Sequence, residues 1–204
     1  MTEDAASARE NVRARLAQPA GQEPASDWLG GDEGHDAAAT RVPAAVLLGL
    51  VPRSEGPTVL LTQRTAHLKD HAGQISLPGG RLEPGEDPVA AALREADEEI
   101  GLSADRVEVL GELRPYLTGT GFRIHPVVGW VDPPERFTTD PFEVEELFEL
   151  PLGFVMDPAN HRQDSYERNG RRRRFYVLPY AGRYIWGATA GILVNFARVL
   201  RQGS

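Results

Sequence analysis

Three glutamates, Glu95, Glu98 and Glu99, stand within a short stretch of this 204-residue chain. Spacings of three and four residues place side chains on one side of a helix. Like charges crowded in this way repel by a few tenths of a kcal/mol per pair. Asp97, Glu98 and Glu99 also fill a last helical turn, where the dipole favours cations. Local rules broken together often mark a working site. Carboxylates converging on one spot supply what a hard divalent cation needs, oxygen ligands and negative charge.

The element that must position them has clear ends. Asp87 is a helix N-cap, Pro88 suits the first helical position, and Gly101 supplies a left-handed exit. Val89, Leu93, Ala96 and Ile100 recur at helical spacing and are expected to face a core. At about 100° per residue the three acids share a different face, turned well away from that stripe. Upstream, Gly80 to Glu86 is a loop rich in Gly and Pro.

The whole stretch resembles the Nudix box, G-x5-E-x7-R-E-U-x-E-E-x-G-U with U aliphatic. Gly80, Glu86, Arg94, Glu95, Ala96, Glu98, Glu99, Gly101 and Leu102 occupy its fixed positions, and small Ala96 at an aliphatic site is the one soft match. The resemblance implies Mg²⁺ or Mn²⁺ held by Glu95, Glu98 and Glu99, with a backbone carbonyl of the Gly-Gly turn, here Gly80, completing the shell. Glu86 and Arg94 are expected to pair and hold the loop on the helix. Some members draw a general base from outside the box. Glu143, Glu145, Glu146 and Glu149 are the candidates here, with Glu143 preferred and one of the box glutamates as the alternative.

A second motif lies upstream. Leu60-Leu61-Thr62-x-Arg64-Thr65-x3-Lys69-x3-Gly73-x3-Leu77-Pro78-Gly79-Gly80 resembles the signature of the coenzyme A pyrophosphatase branch, L-L-T-x-R-[SA]-x3-R-x3-G-x3-F-P-G-G. Thr65, Lys69 and Leu77 depart from it; Lys69 keeps the charge but loses the bidentate fork that suits phosphate. Glu143-Val144-x3-Phe148-x2-Pro151-Leu152 and Ile185-Trp186-Gly187-x-Thr189-Ala190 are also similar to that branch. The resemblance implies cleavage of coenzyme A or its derivatives to 3′-phospho-AMP and a 4′-phosphopantetheine product, with Arg64 and Lys69 holding phosphate. Two alternatives stand beside it: a Nudix pyrophosphatase for ADP-ribose or a dinucleotide, and a non-catalytic Nudix fold that binds a nucleotide.

Composition sets the outer bounds. The chain is 41% hydrophobic and 25% charged, as in ordinary globular domains. A net charge of −8 argues against broad binding to nucleic acid or an anionic membrane. The absence of cysteine excludes disulfides, thiolate catalysis and cysteine-ligated zinc. No apolar run approaches the roughly 20 residues of a membrane span. The first residues are acidic and lack an apolar core, so the expected location is cytoplasmic. A homodimer is allowed, since the family often forms dimers.

In chain order, a helix is expected from Ala5 to Gln18, then a loose arm over Pro19–Thr40. Strands are expected at Ala44–Val51, Thr58–Gln63, Ile75–Leu77, Val107–Tyr116, Arg123–Val131 and Val144–Leu150. Tyr166–Tyr180 reads as a hairpin turning at Asn169-Gly170. Thr189, Ile192, Leu193, Phe196, Val199 and Leu200 mark a closing amphipathic helix. The expected organisation is an N-terminal helix and arm over residues 1–41 and a catalytic domain over 42–204. The fold class is α/β: a Nudix-type α/β/α sandwich with a mixed sheet, a catalytic helix and a C-terminal helix.

Overall fold

A computed structural model of the chain describes residues 3–18, 25–26, 41–67, 73–168 and 171–202. Its elements, in order, are α1 (Glu3–Leu16), β1 (Ala25–Ser26), β2 (Val42–Val51), β3 (Thr58–Arg64), β4 (Ile75–Ser76) and β5 (Gly79–Arg81). Next come α2 (Pro88–Ile100), β6 (Val107–Glu112), β7 (Tyr116–Leu117), β8 (Phe122–Val131), β9 (Val144–Pro151) and α3 (Leu152–Met156). The chain closes with β10 (Arg162–Arg168), β11 (Arg171–Tyr180), β12 (Arg183–Trp186) and α4 (Gly187–Arg201).

β2 is the centre of the fold. Its sequence, VPAAVLLGLV, is a continuous apolar run because both faces of this strand are covered. It runs parallel to β8, with Val42 opposite Phe122 and Leu50 opposite Trp130, and antiparallel to β3 and β5. β9 pairs antiparallel with β3, and β6 with β8, so the sheet is mixed. β10, β11 and β12 form a separate antiparallel sheet.

Side chains alternate across β2 and so feed two cores. Ala45 and Leu47 meet Ala91, Ala92, Ala96 and Ile100 of α2. Leu48 and Leu50 look the other way, into a core closed by Ile192, Leu193 and Phe196 of α4 and by Ala5 and Val12 of α1. Arg9 of α1 also pairs with Glu108 of β6, Nη1 to Oε2, at 2.9 Å, and Arg13 reaches the same carboxylate.

Several details differ from the sequence expectation. The stretch expected as a loop from Gly80 begins inside β5, which pairs with β2, and β12 lies outside the expected strands. The segment expected as one strand over Val107–Tyr116 is two, β6 and β7. Pro115 has no N–H to donate, and the β6–β8 register already shifts between Val109 and Gly111. On α2, Ala91 and Ala92 are fully buried beside Ala96 and Ile100, whereas Val89 and Leu93 only flank the core. The expected arm over Pro19–Thr40 and the turn at Asn169-Gly170 lie outside the described residues, apart from β1.

Candidate active site

α2 holds the acidic cluster rigidly. The Asp87 side chain accepts from Val89 N at 2.9 Å. At the other end Gly101 adopts φ 63°, ψ 30°, and the N–H groups of Gly101 and Leu102 donate to the carbonyls of Asp97 and Ala96. Two of the other terminal carbonyls are satisfied from a distant loop, Thr138 N donating to Ile100 O and Asp140 N to Glu99 O. That loop ends at Glu143, so the end of the helix and the candidate base are tied together.

The glycine turn faces this helix. Gly79 has φ 155°, and a Cβ there would overlap the backbone of Ala45 and Val46. A Cβ on Gly80 would overlap the carboxylate of Glu95. The two glycines thus let β5 lie directly on the acidic helix while pairing with β2. Gly79 N donates to Glu99 Oε2 at 3.3 Å.

Glu99 is the surprise of the site. It is only 5% exposed and sits on the buried side of α2, not on a face turned away from the core. Burial pushes its carboxyl up to about 8, against the lowering by the Gly79 N–H and Arg64, while Glu95 and Glu143 push it further up. Burial likewise raises Glu95, countered by Arg94. Arg64, from the end of β3, lies between two acids: Nη1 is 3.7 Å from Glu99 Oε1 and Nη2 is 3.7 Å from Glu143 Oε2.

The convergence of three carboxylates expected from spacing is not formed as such. Among the described residues no three acidic or histidine side chains already gather around one point. Arg94 is the reason: its Nη1 takes Glu95 Oε1 at 2.9 Å and Glu98 Oε2 at 3.1 Å, and Glu98 is 61% exposed. Glu99 meanwhile points inward to Gly79.

Glu86 and Arg94 pair as expected. Arg94 Nε donates to Glu86 Oε1 at 2.9 Å and Nη2 to Oε2 at 3.0 Å. Glu86 Oε2 also accepts from Glu83 N, and Arg94 Nη2 donates to Arg81 O, which closes the loop onto the helix. This guanidinium holds the Glu86 carboxyl down at about 2, and the carboxylate raises Arg94 in turn.

The structure separates the four acids proposed as outside bases. Glu149 pairs with Arg53 and accepts from Thr58, and Glu146 pairs with Arg183. Glu145 is exposed. Glu143 alone of the four approaches the acidic helix, through Arg64. Thr65 fixes it: its N–H donates to Glu143 O at 3.0 Å and its Oγ1 to Phe142 O at 2.8 Å. In the sequence Thr65 stands out only as a departure from the upstream signature, next to Arg64, and nothing there marks it as a support for Glu143. Lys69 lies outside the described residues, as does His71. His67 packs edge-on against Phe142, and His161 Nε2 contacts Val155 O at 2.7 Å, which are structural roles.

A cavity of about 1120 Å³ opens beside the glycine turn. Arg64, Gly79, Gly80 and Arg81 line it, as do Arg174, Phe175, Tyr184 and Trp186 of the small sheet. These aromatic positions carry no shared spacing and come together only through the fold.

A mixed sheet between helices, with an acidic helix behind a Gly-Gly strand, defines a Nudix-type α/β/α sandwich. Residues 40–166 match the family model of the NUDIX domain. The chain is 39% identical over 165 residues to a Yersinia pestis protein described as an uncharacterized Nudix hydrolase, NudL, a match covering 80% of this chain and 82% of that one. The Yersinia pseudotuberculosis NudL matches equally. A Nudix hydrolase from M. smegmatis, RenU, has 28% identity and a TM-score of 0.45, covering 56% of this chain and 73% of its own. The chain belongs to the Nudix hydrolase family. It is therefore an enzyme of the class that hydrolyses nucleoside diphosphate derivatives, generally with a divalent metal ion. No described helix is long and apolar enough to cross a membrane.

The donor set fits such an ion. All candidate ligands are carboxylate or carbonyl oxygens, the chemistry Mg²⁺ and Mn²⁺ prefer. The space that a Cβ of residue 80 would fill keeps Glu95 against the glycine backbone. Glu99 is a buried acid crowded by two others, a charge that a cation would relieve.

Proposed function

We propose that this protein hydrolyses the diphosphate bond of coenzyme A or its derivatives, giving 3′-phospho-AMP and a 4′-phosphopantetheine product, with Mg²⁺ or Mn²⁺. In this reading Glu95, Glu98 and Glu99 with the Gly80 carbonyl hold the metal. Glu98 reaches it by turning away from Arg94. Such an ion, when bound, polarises phosphoryl oxygens and makes water a stronger acid.

The observation that carries the reading is the row Glu99, Arg64, Glu143, whose central Arg64 also lines the cavity together with the glycine turn. Arg64 supplies positive charge to the phosphoryl oxygens on which negative charge accumulates. Glu143, held by Thr65, accepts the proton of the attacking water. Lys69, from the same upstream motif, is assigned as the second phosphate contact. Glu86 and Arg94 keep the loop and helix in register and touch no substrate. The cavity has room for a nucleotide beyond the diphosphate.

The test is an end-point assay with Mg²⁺ and separately Mn²⁺, offering coenzyme A, ADP-ribose and NADH in parallel with products identified by mass. Release of 3′-phospho-AMP from coenzyme A, with the other two left intact, is the expected result. Cleavage of ADP-ribose or NADH in preference to coenzyme A would overturn the substrate assignment while keeping the metal site.

A further inference from the structure

The small sheet of β10, β11 and β12 takes no part in the acidic site, yet it closes the cavity. Its contribution is chemically specific. Phe175 and Trp186 meet edge to face, with ring centroids 5.6 Å apart. Also lining the cavity, from the main sheet, are Arg81 and Phe122, with the Arg81 guanidinium over the Phe122 ring, 5.6 Å from its centroid. Planar groups from both sheets lining one cavity suit a flat heteroaromatic base, which gains from stacking on aromatic rings and guanidinium planes alike.

Arg174 adds a charge where the diphosphate does not need one. The glycine turn already has Arg64 beside it and Arg81 next in sequence, whereas Arg174 belongs to the other sheet. It is exposed and lines the cavity, and among the described residues it forms no ion pair. A guanidinium at a cavity wall with no ion-pair partner among the described residues favours a ligand group that is itself anionic, and a phosphomonoester matches its fork best.

We infer that Arg174, with the Phe175–Trp186 pair and the Arg81-backed ring of Phe122, forms a subsite for a purine nucleoside that bears a phosphomonoester on its ribose, and that Arg174 reads that phosphate. This rests on the coenzyme A reading and deepens it: the 3′-phosphate is the group by which the nucleoside half of coenzyme A differs from that of ADP-ribose and NADH. Discrimination is then set at the small sheet, while the acidic helix performs a cleavage common to all diphosphates. A charge-assisted guanidinium–phosphate contact is worth a factor of about ten.

The experiment compares kcat/KM for coenzyme A and 3′-dephospho-coenzyme A in the intact protein and in Arg174→Gln, with adenosine 3′,5′-bisphosphate titrated into both by calorimetry. The intact protein is expected to prefer coenzyme A at least about ten-fold, chiefly through KM, and Arg174→Gln to lose most of that ratio. Equal use of the two substrates by the intact protein, or a ratio unchanged in Arg174→Gln, overturns the subsite. If neither compound is cleaved, the coenzyme A reading fails and the titration decides the subsite. Binding of the bisphosphate at least ten-fold weaker in Arg174→Gln then upholds it, and equal or undetectable binding in both proteins overturns it. Arg174 is exposed, so a matching Tm for the two proteins is the control for folding.

Discussion

Arg94 grips Glu86 with two parallel hydrogen bonds, Nε to Oε1 at 2.9 Å and Nη2 to Oε2 at 3.0 Å. The fork bridges the loop after β5 to the middle of α2, and the same Arg94 reaches Glu95 and Glu98. Its removal therefore affects loop, helix and acids at once. Because this pairing depresses the Glu86 carboxyl from 4.5 to about 2, its stabilisation is complete above pH 4.5 and is lost as the pH falls toward 2. Glu86→Gln should have a lower Tm than the intact protein at pH 6, with the gap closing through that window. A gap that stays constant from pH 6 to pH 2.5 would refute the coupling.

Glu99 sets function against stability. Its carboxylate is buried among Glu95 and Glu143, an arrangement that costs free energy in the metal-free protein. Glu99→Gln keeps the shape and removes the charge. With EDTA present the variant should melt higher than the intact protein. With Mg²⁺ or Mn²⁺ the intact protein should gain Tm, the variant should gain little, and kcat should fall at least about 100-fold. Thermal melts with and without metal, alongside an activity assay, test all three outcomes.

Glu143 and Thr65 form a base and its support. Glu143→Gln should lower kcat by about 10²–10³-fold while leaving the metal-dependent rise in Tm, as expected of a group that moves a proton and holds no ion. Thr65→Val loses the Oγ1 contact to Phe142 O and costs about 1 kcal/mol of stability. It should lower kcat more than it changes KM, and Thr65→Ser should restore most of the loss. A serine variant as slow as the valine one would show that the hydroxyl does not position Glu143.

What the sequence made legible was local. The α2 ends follow from Asp87, Pro88 and Gly101, whose conformations depend on adjacent residues, and the structure reproduces all three. The Glu86–Arg94 pair lies along one helix and its leading loop, and it too was readable. The burial of Glu99 was not, because helical spacing alone cannot say how closely β5 lies against α2. That approach depends on Gly79 and Gly80 fitting against Ala45, Val46 and Glu95. The grouping of Phe122, Phe175 and Trp186 was invisible for a related reason: three strands from two sheets bring them together, and no period in the chain marks them.

The two glycines of the turn should behave differently when given a methyl group. At Gly80 the backbone has no left-handed requirement, and the added Cβ meets only the Glu95 carboxylate, the far end of a flexible side chain. Glu95 can swing aside, so Gly80→Ala should fold with nearly the Tm of the intact protein. The displaced acid, however, no longer lies against the turn, and a shift of about 1 Å in a positioned group can cost 10²-fold in rate. At Gly79 the φ of 155° is rarely adopted by other residues, and the Cβ meets main-chain atoms of Ala45 and Val46 in the central strand, which cannot move without opening the β2–β5 pairing. Gly79→Ala should therefore lose several degrees of Tm as well as activity. Parallel melts and rates for the two variants decide the matter. A Gly80→Ala protein with full activity would mean that Glu95 does its work without resting on the glycine turn.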